Sequence, residues 1–321
     1  MAKLSSLMDY YYEFMYPELK LLEEERLRIV SKLKTVAMTL AIFGMVASFT
    51  LLQMTTFSPL QAIGLSFAVC GLLLLFVYQH EKTGYDVLFK DNVIEKIIHF
   101  IDPTFSYRSS SHIGESEYRL SGLLPQTYDR FSGSDLVEGV KEGVSLHFSD
   151  LLVEEKHEGK NGKEEWRTLF QGLFFCADFH KHFSGKTYVL PDIAERSLGF
   201  VGSLFQELNR SHGKLMKLDH VEFEKYFVVY GDDPVETRYI LSPAFMERIV
   251  AFYTKEKKNL SLGFVGGKMY LALEYKKALF APSLSTSVLA FADIKVYFEL
   301  LEMVFGIVEA FKLNQKLWGK Y

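Results

Sequence analysis

Two uncharged stretches dominate the first quarter of the sequence: VAMTLAIFGMVASFTLLQM at residues 36–54 and LQAIGLSFAVCGLLLLFVY at residues 60–78. As a helix, each is about long enough to cross a hydrocarbon core of ~30 Å. In lipid the backbone must satisfy its own hydrogen bonds, so helix is the structure predicted for both. Only TTFSP connects them, and they must therefore run antiparallel. The sequence predicts a transmembrane helical hairpin over 36–78, and the alternative is a pair of buried helices in a soluble core.

Basic residues around the hairpin predict its orientation. Lys and Arg concentrate in the short segments that stay in the cytoplasm. The connection between the two stretches is uncharged. The basic residues lie before the first stretch and after the second, and they are Arg26, Arg28, Lys32, Lys34 and Lys82. Both termini, and the whole region after the hairpin, are therefore predicted to be cytoplasmic.

Small residues recur within both stretches at the spacing of helix contacts. Such residues allow two helices to approach closely, either within one hairpin or between two copies of the chain. They are Ala41, Gly44 and Ser48 in the first stretch and Gly64, Ala68 and Gly71 in the second. Neither stretch contains an ionisable side chain. This argues against a transporter or pump, in which such groups mark the ion pathway.

The segments that flank the hairpin have helical periodicity. Residues 1–35 are predicted as an amphipathic helix, which either continues into the first span or lies on the soluble region. Residues 79–142 are predicted as a helical connector and loop, in which an amphipathic helix reaches Ile101 and ends before Pro103.

Residues 143–321 have the pattern of an α+β domain. Apolar and polar residues alternate with the period of two that is typical of half-buried strands, and Asn161-Gly162 has the composition of a hairpin turn. The predicted strands are 144–148, 166–175, 186–190, 226–230, 260–264 and 269–273, and the predicted helices are 192–209, 243–255 and 294–308. The last helix has an apolar stripe and a charged face, so we expect it to cover one face of an antiparallel sheet.

The composition argues against several classes of function. The net charge is -4 and the sequence has no basic stripe, so no nucleic-acid partner is predicted. Its two cysteines, Cys70 and Cys176, lie far apart along the chain, which predicts no disulfide framework. Gly263, Gly266 and Gly267 lack the lysine spacing of a phosphate-binding loop, and no cofactor is predicted.

Two histidines give the nearest approach to a metal site. His180 and His182 would share one face of a strand. A zinc site would need at least one further ligand, and Asp178, His147 and Cys176 are each available. The spacing selects none of them, so His180, His182 and Asp178 remain candidates only. Surface histidines beside a strand end are the alternative, and no catalytic residue is predicted.

Five stretches, in order along the chain, resemble a bacterial family of two-span membrane proteins known as domain of unknown function 3137. They are YYYEFMYPELKLLEEERLRIV (10–30), RFSGSDLVEGVKEGVSLHFSDLLVEEK (130–156), WRTLFQGLFFCADFHKHFSGKTYVLPD (166–192), FEKYFVVYGDDPVETRYILSPAFMERIV (223–250) and GKMYLALEYKKALFAPS (267–283). The resemblance implies a protein of the bacterial cytoplasmic (inner) membrane with a cytoplasmic α+β domain. It implies no activity and no catalytic residue.

Polar residues in the fourth of these stretches form a candidate interaction surface. Asp232 and Asp233 follow a predicted strand, with Arg238 and Tyr239 shortly after them. Paired carboxylates can share a proton or hold a cation, but solvated acids in a turn are the simpler interpretation.

Three hypotheses about function follow. The favoured one is a non-enzymatic, membrane-anchored binding or scaffolding protein, whose partners are the lipid bilayer and either another protein or a second copy of the chain. The second is a membrane-bound enzyme, which predicts a deep pocket near His180, His182 and Asp178 or near Asp232 and Asp233. The third is a component of a small oligomeric channel, and the apolar spans argue against it.

Overall fold

The computed structural model describes residues 4–54, 58–124, 127–159, 164–178, 183–192 and 213–313. The contacts of the described residues divide the chain into two compact units. The first takes in Met1–Ile97 and Ala281–Phe298, and the second takes in Ile98–Phe280 and Glu299–Tyr321. The predicted Asn161-Gly162 turn, the histidines 180 and 182, and the predicted helix after Asp192 lie outside the described residues.

Helices make up most of the first unit, and two of them are more than 30 residues long. They are α1 (Leu4–Tyr10), a π-helical turn (Tyr11–Met15), α2 (Tyr16–Met54), α3 (Pro59–Phe89), a second π-helical turn (Lys90–Ile94) and α4 (Glu95–Ile101). Both apolar stretches are helical, as predicted, and α2 runs without a break from the N-terminal amphipathic segment into the first of them. Ser58 and Gln61 form a reciprocal capping box at the start of α3, and Pro59 takes the first helical position.

The contact between α2 and α3 is lined by small side chains. Ser48 on α2 and Ala62, Ser66 and Cys70 on α3 are buried. A Cβ atom added at Gly44 would lie 3.4 Å from the Sγ atom of Cys70. The small residues of α3 that face α2 are therefore spaced four apart, the spacing that lines one face of a helix.

The other small residues that the sequence singled out on α3 lie away from α2. Gly64 and Ala68 are exposed, and a Cβ added at Gly64 or Gly71 would meet no atom within 4 Å. Gly64 follows Ala62 by two residues, which places it roughly 200° further round the helix. Within the chain, Gly44 and Ser48 lie in the contact between α2 and α3, whereas Gly64, Ala68 and Gly71 lie outside it.

Polar contacts fix the segment around Leu284 and Val288 to α2. This segment lies where the chain re-enters the first unit, after Phe280. Arg26 donates from Nη1 to the carbonyl oxygen of Leu284 at 2.7 Å, and Glu23 holds the same guanidinium in an ion pair. Glu23 also accepts from the backbone N–H of Val288 at 3.1 Å. Because Arg26 is buried, these bonds satisfy a charge that would otherwise be costly.

The second unit is built on a sheet whose described strands number nine and pair antiparallel throughout. The strands are β1 (Ser106–Arg108), β2 (Arg130–Lys141), β3 (Val144–Glu158), β4 (Glu164–Asp178), β5 (Thr187–Pro191), β6 (Lys214–Met216), β7 (Phe227–Gly231), β8 (Leu260–Val265) and β9 (Lys268–Glu274). Their order is β1-β2-β3-β4-β9-β8-β5-β7-β6. This confirms the predicted α+β class with an antiparallel sheet and flanking helices.

Helices cover both faces of this sheet. The helices of this unit are α5 (Glu115–Ser121), α6 (Val221–Glu224), α7 (Pro234–Ile240), α8 (Pro243–Glu256), α10 (Ile307–Ala310) and the part of α9 (Phe291–Phe305) that follows Phe298. On one face, Tyr118 of α5 packs into an aromatic cluster with Phe174 of β4. On the other, Phe245 of α8 contacts Phe264 of β8, and Phe305 of α9 contacts Phe148 of β3. The prediction that the last long helix covers one face of the sheet is therefore confirmed for the C-terminal end of α9.

The connector predicted over 79–142 contains two strands that the sequence analysis did not identify. Residues 106–108 and 130–141 pair with each other, and the second strand continues into the β2–β3 hairpin. The register of β2 shifts between Ser134 and Val137, and Asp135 there has a φ of 64°. This bulge breaks the alternation of polar and apolar residues, which is why the pattern did not indicate a strand.

Candidate functional site

Polar side chains meet on the α5 face of the sheet, near one end of three neighbouring strands. His147 of β3 lies directly opposite Cys176 of β4, and Cys176 lies directly opposite Tyr270 of β9. Directly paired residues in a sheet point to the same face with their Cβ atoms about 4.5–5.5 Å apart. The register of the sheet therefore places an imidazole, a thiol and a phenol side by side.

Helix α5 brings the carboxylate of Glu117 next to these side chains. The helix starts after Gly114 with Glu115 and Glu117 in its first turn, where negative charge favours the helix dipole. It ends at Gly122, whose φ of 57° is the left-handed conformation that glycine adopts at helix ends.

Hydrogen bonds on both sides of α5 hold it over the sheet. The N–H of Ile113 donates to the hydroxyl of Ser149 on β3 at 3.1 Å. At the other end, the Tyr188 hydroxyl of β5 donates to the carbonyl of Ser121 at 3.1 Å. Both contacts are buried, so the position of the helix on the sheet is well determined.

Three groups converge on the carboxylate of Glu117. Its Oε2 atom lies 2.8 Å from Nε2 of His147. Its Oε1 atom accepts from Nζ of Lys268 at 2.9 Å and from the Cys176 thiol at 3.4 Å. We call Glu117, His147, Cys176 and Lys268 the Glu117 cluster. Its thiol is buried, whereas the side chains of Glu117 and His147 keep about a fifth of their surface exposed, at 23% and 21%.

These contacts shift the ionisation of the cluster. The hydrogen bond to His147 lowers the pKa of Glu117 most, burial opposes it, and the bond to Lys268 lowers it further, so that the pKa falls from 4.5 to about 2. Burial raises the pKa of the Cys176 thiol, and the negative charge of Glu117 adds to that effect. Burial also opposes the charge of Lys268, but its bond to Glu117 and nearby negative groups more than offset this and raise its pKa.

The ionisation of Cys176 bears on what the cluster can do. A nucleophilic cysteine needs a lowered pKa and an accessible sulfur. Cys176 has neither, and its thiol donates to a carboxylate instead of pairing with a base. The cluster therefore does not have the arrangement of a cysteine-dependent catalytic site. Its imidazole, carboxylate and thiol are, however, the donor types that borderline-soft metal ions prefer.

The structure brings together only part of the metal site considered from the sequence. His147 and Cys176, each considered as a further zinc ligand, are adjacent, whereas His180 and His182 lie outside the described residues. Asp178 lies at the end of β4, directly opposite Lys268. Glu117 was missed because it lies in the predicted connector, in a helix of only seven residues that is too short to have a clear apolar period.

The four residues of the candidate interaction surface are exposed and lie on α7 and the turn before it. Asp233 caps α7 by accepting from the backbone N–H of Val235 at 2.7 Å. Asp232 accepts from the N–H of Lys186 at 3.0 Å. Both acids thus have structural roles in a turn and a helix cap, while Arg238 and Tyr239 project from the helix.

A depression of about 580 Å³ lies beside this turn. Its lining residues are Phe183, Ser184, Glu236, Gly266 and Gly267. Glu236 uses both carboxylate oxygens on the segment before β5, accepting from the N–H groups of Ser184 at 3.0 Å and Gly185 at 2.7 Å. The depression is open, and its carboxylate is committed to holding the loop.

The fold and the cluster together define an α+β protein that carries two long apolar helices. Residues 168–313 match the family described as "Protein of unknown function (DUF3137)". This match supports the family resemblance over the C-terminal part of the chain, from β4 to α10. The resembling stretches at 10–30 and 130–156 lie before it.

The crystal structure of the mycobacterial trehalose monomycolate transport factor A, TtfA, is similar at 9% identity and a TM-score of 0.35, covering 66% of this chain and 93% of that chain. No curated protein matches the sequence.

Proposed function

We propose that this chain is a membrane-anchored binding or scaffolding protein, held in a bacterial cytoplasmic membrane by the α2–α3 hairpin and presenting its α+β unit to the cytoplasm. The observation that carries the proposal is the unburied apolar surface of both helices. In their most apolar windows only 11% and 17% of the residues are buried within the chain.

The exposed side chains of the hairpin are large and apolar. Phe43 and Phe49 on α2, and Leu72 and Phe76 on α3, are each more than 60% exposed. Soluble proteins rarely expose contiguous apolar surface on this scale, since its contact with water is unfavourable. A hydrocarbon environment removes that cost along the whole length of both helices.

Charged side chains begin where the apolar surface ends. At the base of the hairpin, Lys32 of α2 forms a 2.6 Å ion pair with Glu81 of α3. Lys82 pairs with Asp86 one turn further along α3. Together with the uncharged connection at the other end, this distribution favours an orientation with both termini in the cytoplasm.

The binding part of the proposal concerns α7. Val235 and Tyr239 lie four residues apart on this helix and are 74% and 39% exposed, with Arg238 beside them. An exposed apolar pair flanked by an arginine is typical of protein-binding surfaces, in which tyrosine and arginine are enriched. We propose that this face, with Asp232 and Asp233, contacts a protein partner.

Membrane anchoring is tested by extraction of the full chain from bacterial membranes. We expect a mild detergent to release it and alkaline carbonate to leave it behind. Leu72→Arg should reduce membrane insertion, because an arginine near the middle of a span costs about 2.5–3.5 kcal/mol. Leu215→Arg is the matched control, since Leu215 is similarly exposed (58% against 68%) but lies on β6. Release of the unaltered chain by carbonate would contradict the proposal.

Binding at α7 is tested by site-specific photo-crosslinking in cells. A photoreactive amino acid replaces Tyr239, or for comparison Trp166, which is exposed to a similar degree on β4 (39% and 42%). The proposal expects one discrete adduct from position 239 that is absent from position 166 and lost when Arg238→Glu is added. Equal adducts from both positions would indicate random collisions, and would remove α7 as the binding surface.

A further inference from the structure

We propose that Glu117, His147 and Cys176 bind a single divalent cation of the zinc type. The proposal is independent of the membrane-anchored role and assigns the Glu117 cluster a ligand. The ligand atoms of the three residues, an oxygen, a ring nitrogen and a sulfur, all lie within 4.8 Å of one another.

The spacing of these atoms is close to that of a tetrahedral centre. With metal–ligand distances of about 2.0–2.3 Å, the ligand atoms around zinc lie roughly 3.3–3.8 Å apart. The Glu117–Cys176 contact of 3.4 Å already falls in this range. The Glu117–His147 contact of 2.8 Å, made by Oε2, would lengthen by a small rotation of the carboxylate, whose Oε1 atom is the one that faces Cys176.

The scaffold fixes the three ligands before any metal arrives. His147 and Cys176 are directly paired on adjacent central strands, and both strands are hydrogen-bonded on each side. Glu117 lies on the helix that Ser149 and Tyr188 hold against the sheet. Ligands on regular, well-packed elements hold their geometry better than ligands on loops, which favours binding.

Lys268 is the group that opposes binding, and the sheet provides an alternative partner for it. In the metal-free cluster its ammonium neutralises Glu117 at 2.9 Å. Asp178 lies directly opposite Lys268 on β4, on the same face of the sheet. When the carboxylate turns to a cation, the ammonium can move to Asp178, so the two positive charges need not share one acid.

One side of the cluster remains open to solvent. Cys176 is buried beneath it, whereas Glu117 and His147 are partly exposed at its rim. Three protein ligands with an accessible fourth position are the arrangement of zinc sites that hold water or an exogenous ligand. The cluster is therefore expected to bind a metal with a fourth, exchangeable ligand from solvent.

Metal binding is tested on the full chain in detergent, stripped of metal by a chelator and then dialysed against Zn²⁺ or Co²⁺. We expect one bound ion per chain and, with Co²⁺, a sulfur-to-metal charge-transfer band. The sequence has only two cysteines, so each thiol can be removed in turn. Cys70→Ala should retain the band, which must then arise from Cys176, while Cys176→Ala should lose it.

Further variants separate the site from general effects on folding. His147→Gln should weaken Zn²⁺ binding at least about tenfold, whereas His157→Gln, on the same strand, should not. Lys268→Met should tighten binding, because it removes the competing charge. A Cys70→Ala protein that binds no stoichiometric Zn²⁺ and shows no charge-transfer band would overturn the proposal, and this variant leaves the cluster intact. Binding that is equal in Cys70→Ala and Cys176→Ala would overturn it as well.

Discussion

Glu117 of α5 and His147 of β3 lie in direct contact, with 2.8 Å between Oε2 and Nε2, and this contact joins a short helix to the centre of the sheet. The carboxylate accepts further bonds from a thiol and an ammonium group on two other strands. One side chain of α5 is thus connected to β3, β4 and β9. The carboxylate is held in its charged form, and this has consequences for stability as well as for ligand binding.

The stability of the second unit should depend on pH through Glu117. Its pKa is lowered from 4.5 in an unperturbed chain to about 2 in the folded protein. A lowered carboxyl pKa stabilises the folded state above the unfolded pKa, and this contribution is lost as pH falls through the folded value. After allowance for solvent screening at this partly exposed group, we expect Glu117 to contribute about 1–2 kcal/mol to the free energy of unfolding.

The measurement is chemical unfolding of the metal-free protein across the range from about pH 6 to pH 2. The difference in unfolding free energy between the unaltered chain and Glu117→Gln should shrink as the pH falls. Glu115→Gln is the control on the same helix. Bonds from Tyr128 and Arg119 also lower the pKa of Glu115, but this group is exposed, so its difference in unfolding free energy should change less with pH. A constant difference between the unaltered chain and Glu117→Gln at all pH values would show that the carboxylate is not held in its charged form.

Local patterns predicted much of the fold. The two apolar stretches are continuous in sequence, and the β8–β9 hairpin alternates on both sides of Gly266-Gly267, so each could be identified from neighbouring residues alone. Strand β2 could not, because its bulge at Asp135 interrupts the alternation. The bulge is stabilised by a residue that is distant in sequence, because the Tyr107 hydroxyl donates a hydrogen bond to Asp135 at 2.5 Å.

The Glu117 cluster depends on long-range pairing that no local pattern reveals. His147 meets Cys176 only because the β3–β4 hairpin has one particular register, and a shift by one residue would turn one of them to the other face. Glu117 reaches them only because α5 is bonded to β3 and β5. His147 and Cys176 were therefore identified from the sequence as possible ligands, but Glu117 and the association of the three residues were not.

The end of α5 is expected to be sensitive to a single added methyl group. Gly122 has a φ of 57°, and a Cβ there would lie 2.6 Å from the hydroxyl oxygen of Tyr188. Gly122→Ala should therefore combine the cost of the left-handed conformation, about 1–2 kcal/mol, with a steric clash of about 1–3 kcal/mol. Gly143→Ala is the matched control, because Gly143 also has a positive φ but a Cβ there would meet no atom within 4 Å.

A double-mutant cycle separates the two terms of this prediction. Tyr188→Phe removes the hydroxyl that a Cβ at position 122 would strike, at the expense of the hydrogen bond to Ser121. Gly122→Ala should thus cost less unfolding free energy in the Tyr188→Phe background than in the unaltered chain. If Gly122→Ala and Gly143→Ala cost the same in both backgrounds, the contact with Tyr188 has no influence on stability.

Arg26 should control the attachment of the segment around Leu284 and Val288 to α2. Removal of its guanidinium breaks the bond to the Leu284 carbonyl and leaves Glu23 without its charge partner. Hydrogen exchange should report this as faster exchange at Val288, whose N–H donates to Glu23, in Arg26→Ala. Arg28→Ala is the control, since Arg28 makes an ion pair of the same spacing with Glu25 but is exposed. Equal exchange at Val288 in the two variants would contradict the prediction.

The packing of the hairpin can be tested with the cysteine it already contains. A Cβ at Gly44 would lie 3.4 Å from the Sγ atom of Cys70, close enough for a disulfide with little backbone movement. In a Cys176→Ala background, Gly44→Cys should therefore lose both of its thiols on mild oxidation while remaining a monomer on denaturing gels. Gly64→Cys should not form this bond, because position 64 faces away from α2 and a Cβ there meets no atom within 4 Å.

Gly64→Cys also tests whether the small residues of α3 pack against a second copy of the chain. If Gly64, Ala68 and Gly71 pack against a second copy of the chain in the membrane, Gly64→Cys should give a covalent dimer on oxidation, since small residues permit close approach of two helices. If they face lipid, the thiol should stay free and the chain monomeric. A monomeric disulfide from Gly64→Cys, or its absence from Gly44→Cys, would contradict the arrangement of α2 and α3.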